Sequence, residues 1–86
     1  MISILIPIYN YEVIALARDL LVSCHKANVS FEIIFADDGS NVQYLRLNDA
    51  LNRMEGIQYI VLPKNIGRSA IRNFLARTSK FDFLLF

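Results

Sequence analysis

The stretch Ile33-Ile34-Phe35-Ala36-Asp37-Asp38-Gly39-Ser40-Asn41 constrains the fold more than any other part of the chain. A continuous apolar run rich in Ile and Phe suits a strand covered on both faces of a parallel sheet, and this one ends abruptly in two carboxylates and a glycine. Asp37 and Asp38 therefore stand at the carboxyl end of a buried strand. In open α/β sheets that edge is where ligands bind.

The flanking sequence supplies the rest of such a sheet. Ile2, Ile4, Leu5, Ile6 and Ile8 form a β-branched run, and Pro7 predicts that the first strand ends near Ile6. From Val13 the apolar positions Leu16, Ala17, Leu20, Leu21 and Cys24 follow helical spacing, with Glu12 suited to the helix start and Asn28 ending it. Phe31 to Ala36 is the second strand. Ser40 and Gln43 have the form of a capping box opening a second helix, whose stripe Val42, Leu45, Leu51 and Met54 runs to a stop at Gly56. Ile57 to Leu62 is the third strand, Pro63 to Gly67 a loop, and Ala70, Ile71, Phe74, Leu75 and Thr78 mark a third helix, with Ser69 as its cap. A fourth strand begins at Phe81. The order β-α-β-α-β-α-β predicts an α/β fold with a mainly parallel sheet and right-handed crossovers.

Composition narrows the function. Nine Lys and Arg against eight Asp and Glu give a net charge of +1, which argues against a dedicated nucleic-acid or acidic-membrane binder. The segment Lys64, Arg68, Arg72, Arg77 and Lys80 is basic and free of carboxylates, so local charge is more telling than the sum. A single cysteine, Cys24, precludes an internal disulfide and fits a reducing compartment, with the thiol itself in the core. No window reaches the roughly 18 apolar residues of a membrane span, and the amino terminus lacks the charged start of a signal peptide. The expected location is cytoplasmic. With 86 residues, of which 55% are apolar, the chain accommodates one domain and no second.

Several features converge on the carboxyl edge of the predicted sheet: Pro7-Ile8-Tyr9-Asn10, Asp37-Asp38-Gly39-Ser40, Asn65-Ile66-Gly67, and Arg72 on the helix that follows. A tyrosine face stacks on a planar base, a carboxylate accepts from base N–H or sugar hydroxyl groups, and arginine meets diphosphate in a bidentate way. Together they describe a nucleotide pocket. Taken singly, Tyr9 also fits an aromatic plug over the first helix, Asp37 and Asp38 fit turn or capping carboxylates, and Arg68 fits a solvated surface group.

The three motifs, with Ala70-Ile71-Arg72-Asn73 after the third, make the chain resemble the amino-terminal part of the family 2 glycosyltransferases with the GT-A fold, over its whole length. The resemblance implies a three-layer α/β/α arrangement, the Rossmann-like half of that fold, and makes residues 1–86 a single partial domain truncated after the fourth strand. It implies a nucleotide-diphosphate-sugar site with Pro7 and Tyr9 bordering the base and Asp38 accepting from the ring. Asp37 would shape the loop or ribose site, and Gly67, Arg68 and Arg72 would lie near the base or diphosphate. Asn73 would hold backbone. Uracil is the implied base, with guanine and thymine as alternatives, and the implied chemistry is transfer of a sugar to an acceptor hydroxyl in polysaccharide biosynthesis, with inversion.

The departures bear on activity. The family's metal-binding Asp-x-Asp follows the fourth strand and its catalytic base comes later still, so neither is expected before Phe86. Asp82, expected inside that strand, is no substitute. A divalent metal, Mn or Mg, is therefore expected of the complete enzyme, no cofactor within this chain, and no sugar transfer by this chain alone. A receiver-type signalling domain shares the architecture but places its acidic pair after the first strand. The remaining alternative is a noncatalytic module that forms a homodimer through an exposed fourth strand, Phe81 to Phe86.

Overall fold

The computed structural model describes residues 2–81 and the backbone of 84–85. In chain order the elements are β1 (Ile2–Ile8), α1 (Ile14–Ala27), β2 (Phe31–Asp37), α2 (Val42–Leu47), a 3₁₀ helix (Asn48–Arg53), β3 (Ile57–Val61), α3 (Arg68–Thr78) and β4 (Leu84–Leu85). The four strands form one sheet in the order β3-β2-β1-β4, and every neighbouring pair is parallel. The α/β alternation expected from the sequence is the observed one.

Strand order dictates the layers. The steps from β1 to β2 and from β2 to β3 run in one direction, so right-handed crossovers put α1, α2 and the 3₁₀ helix on one face. The return from β3 to β4 runs the other way and puts α3 on the opposite face. The packing agrees: Val13, Ala17, Cys24 and Leu51 pack on Ile4, Ile8, Ile33 and Phe35, while Ile71 and Leu75 pack on Leu5, Ile34 and Ala36. Ile33, Ile34, Phe35 and Ala36 are all 0% exposed, so β2 is covered on both faces as its unbroken apolar run requires. Cys24 lies in this core, and burial pushes its thiol pKa up. Among the described residues no helix is long and apolar enough to cross a membrane.

Several local expectations are corrected. β1 continues through Pro7 to Ile8 instead of stopping near Ile6. Neighbouring residues of a strand aim their backbone groups to opposite sides, and Ile8 O accepts from Asp38 N at 2.8 Å, so Ile8 faces β2 and Pro7 faces the β4 side. Among the described residues β4 pairs there with Ser3 and Ile4, and the absent N–H of Pro7 costs no bond to β2. The capping box does not form either: Asn41 is the N-cap of α2 without a side-chain bond, because the Ser40 hydroxyl is engaged elsewhere. The single helix expected up to Met54 is a six-residue α2 followed by 3₁₀ turns. Ser69 does not cap α3, whose N-cap is Gly67. Asn28 does end α1, in the left-handed conformation with φ 54°. Of the fourth strand expected from Phe81, Leu84–Leu85 is seen as a sheet-edge strand, and Asp82 lies outside the described residues.

Two buried polar residues lock the layers. Ser3 Oγ donates to Glu32 Oε2 at 2.7 Å, and the same carboxylate oxygen accepts from Lys80 N, which ties the chain leaving α3 to the start of β1 and β2. Asn48, 0% exposed, accepts from Val13 N through Oδ1 at 2.9 Å and donates through Nδ2 to Tyr11 O at 2.7 Å. It thereby pins the loop between β1 and α1. Asn48→Ala leaves the buried Val13 N–H unpartnered, removes the tie to the part-buried Tyr11 carbonyl, and is expected to cost about 2–3 kcal/mol. Urea unfolding with unchanged slope and a lowered midpoint is the expected result. A change below about 0.5 kcal/mol would contradict the role given to Asn48.

Candidate nucleotide-sugar site

The cleft lies at the carboxyl ends of β1 and β2, beside the boundary between β1 and β4 where the crossovers change face. A doubly wound sheet leaves a crevice at this boundary because the helices on its two sides diverge. The cleft encloses about 330 Å³ and is lined by Pro7, Ile8, Tyr9, Asp38, Asn65, Gly67, Arg68 and Ile71. Five of the seven sequence-predicted site residues thus share one cavity: Pro7, Tyr9, Asp38, Gly67 and Arg68.

Asp38 organises the floor. It is 5% exposed, its Oδ1 accepts from Ile66 N at 2.7 Å and its Oδ2 from Gly67 N at 3.1 Å. Its own carbonyl accepts from Asn65 Nδ2 at 3.1 Å, and its N–H donates to Ile8 O. One residue therefore joins the loops after β1, β2 and β3. Gly39 makes that junction possible: its φ is +75°, and a Cβ there would lie 2.6 Å from Asn65 N and 2.8 Å from Lys64 C. The turn after β2 and the loop after β3 touch backbone to backbone.

Tyr9 is 56% exposed and lines the cleft, which rules out the aromatic plug over α1. Arg68 is the first residue of α3 and lines the cavity, so the N-terminus of that helix adjoins the cleft. Asp37 does not line the cleft. It is 0% exposed, and its Oδ1 accepts from Ser40 N at 2.7 Å, which makes it the turn-shaping carboxylate. Its Oδ2 and the Tyr59 hydroxyl are buried with no hydrogen-bond partner among the described residues. Burial first, then the Asp37 and Asp49 carboxylates, push the Tyr59 phenol up to about 12, so it stays neutral in ordinary buffers. Arg72 lines a second, shallower cleft of about 320 Å³ on α3 with Ser69, Asn73 and Ala76.

Sequence reasoning passed over three participants. Asn65 appears in its motif yet was not assigned to the site, although it both lines the cleft and bonds the Asp38 carbonyl. Ser40 Oγ accepts from Asn10 N at 2.8 Å, and Asn10 Oδ1 accepts from Asn41 N at 2.8 Å. The signal for Asn10 was its place after Pro7-Ile8-Tyr9, a turn residue tolerant of positive φ. Among the described residues no group of three or more His, Cys, Asp or Glu side chains is arranged to hold a metal ion.

Fold and cleft thus define a doubly wound α/β domain with an open cleft at its strand ends. Comparison with known proteins makes the class specific. The model of glycosyl transferase family 2 matches residues 3–86, and the chain belongs to that family. It is 35% identical over 88 aligned residues to a chondroitin synthase of Pasteurella multocida (strain Pm70), covering 96% of this chain and 9% of that protein. Its fold is similar to the crystal structure of S. aureus TarS 1-349, with a TM-score of 0.70 and 25% identity over 99% of this chain and 26% of that one. The chain spans a small part of the length of both.

Gly39→Ala puts a side chain against the backbone of Lys64 and Asn65 at a left-handed position and is expected to destabilise the chain by about 2 kcal/mol or more. Thermal unfolding measures it. Wild-type stability would mean that the two loops do not meet as described.

Proposed function

We propose that the cleft binds the nucleoside-diphosphate part of a sugar donor, with UDP-sugar as the ligand. The observation that carries this reading is the union, in one cavity, of an exposed tyrosine ring, a carboxylate and an arginine at a helix N-terminus. Tyr9 offers a face for the base and Pro7 borders it. Asp38 keeps acceptor capacity beyond its two backbone bonds, since an ionised carboxylate has about four lone-pair sites, and serves the ring N–H. Arg68, with Gly67 permitting close approach, meets the diphosphate, and Arg72, one helical turn further, extends that positive side. Asp37 acts indirectly by shaping the turn that carries Asp38.

These residues are assigned donor binding and no catalytic role. Identity to a chondroitin synthase favours a donor used in building polysaccharide. Calorimetric titration with UDP, with and without Mn²⁺, tests the reading. The expected result is metal-independent binding that Tyr9→Ala weakens roughly tenfold through lost stacking, with unchanged melting because the ring is exposed. A folded chain that takes up no UDP would refute it.

A further inference from the structure

We propose that Asn10 and Ser40 are positioning residues whose mutual clamp sets where the Tyr9 ring stands at the cleft. The assignment rests on the donor-binding reading of that cleft and names what fixes its most exposed contact. Tyr9 makes no hydrogen bond of its own among those described, yet both of its chain neighbours do. Before it, Ile8 O accepts from Asp38 N at 2.8 Å. After it, Asn10 N donates to Ser40 Oγ at 2.8 Å, and Asn10 Oδ1 accepts from Asn41 N at 2.8 Å. The turn carrying Tyr9 is thus bracketed by three bonds to the segment that carries Asp38.

The clamp is reciprocal and short-armed. Asn10 gives its backbone N–H to one residue and takes the N–H of the next, so neither turn shifts without breaking both bonds. Ser40 is itself anchored, because its N–H donates to Asp37 Oδ1 at 2.7 Å inside the protein. Asn10 adopts φ 53°, a conformation in which asparagine is among the few tolerated side chains. The chain runs from the buried Asp37 through Ser40 and Asn10 to an exposed ring. It accounts for how a half-exposed tyrosine on a loop end is kept at the cleft that Asp38 also lines.

The test needs a readout of the ring itself. The chain contains four tyrosines, so fluorotyrosine labelling gives four fluorine signals, with Tyr9 assigned from Tyr9→Phe. Ser40→Ala removes the acceptor for Asn10 N. Asn10→Gly keeps the positive φ but loses the acceptor for Asn41 N, and Asn10→Asp restores it. In ligand-free protein the Tyr9 signal is expected to shift and broaden in Ser40→Ala and Asn10→Gly and to return toward wild type in Asn10→Asp. UDP affinity is expected to fall about tenfold in the first two and to recover in the third. Should Ser40→Ala fail to fold, Asn10→Gly decides alone. An unchanged Tyr9 signal in a folded clamp variant overturns the proposal. If wild type takes up no UDP, the donor reading falls, while the ligand-free fluorine spectra still decide whether the clamp positions Tyr9.

Discussion

Both oxygens of the Asp38 carboxylate are committed to backbone N–H groups of a loop 28 and 29 residues away, and the arrangement of the cleft follows from that pair of bonds. The loop after β3 buries little of itself, since Lys64, Asn65 and Ile66 are exposed. This pair of bonds adds to those of Leu62 N with Asp37 O and Asn65 Nδ2 with Asp38 O and to the backbone contact at Gly39. Hydrogen bonds to a charged acceptor contribute about 1.5–3 kcal/mol each, enough to fix a short loop that buries almost nothing. Because α3 begins at Arg68, directly after the bonded Gly67, the same carboxylate sets where that helix starts and where its N-terminal end points. A residue read from the sequence as a ligand acceptor is therefore also the structural keystone of its own site.

The sheet gives this bond its setting. Asp38 follows a strand that is fully covered on both faces, so its position is fixed by packing before any polar contact is made. The change of crossover direction between β1 and β4 leaves room above the ends of β1 and β2 without opening a hole in the core. Gly39 then lets the loops approach to backbone contact. Packing, topology and one glycine place the carboxylate, and the carboxylate places the third loop.

Much of this was legible in the sequence, for physical reasons that differ from element to element. β2 could be read because an unbroken apolar run has few uses other than a doubly covered strand, and α1 because its stripe and its Asn28 stop agree. The strand order could not be read, since the β-α-β pattern is the same for any arrangement of parallel neighbours. Pro7 misled because the sidedness of its missing donor depends on which neighbour lies where. The region from Ser40 to Met54 misled because a local capping pattern competes with tertiary bonds: Asn10 takes the Ser40 hydroxyl, and the loop before α1 takes both ends of the Asn48 amide. Of the cleft lining, Tyr9 and Asp38 could be placed after strand ends and Arg68 at the start of the following helix. The roles of Asn10, Ser40 and Asn65 were not, because they arise from pairs of residues distant in the chain.

The most direct measurement is amide hydrogen exchange, residue by residue, in wild type and Asp38→Ala. Ile66 and Gly67 N–H groups should be protected in wild type and exchange near the free rate in the variant, while Ile34 and Phe35 in β2 stay protected. Unchanged exchange at Ile66 and Gly67 would contradict the account, because the loop after β3 would then be held by something other than the Asp38 carboxylate.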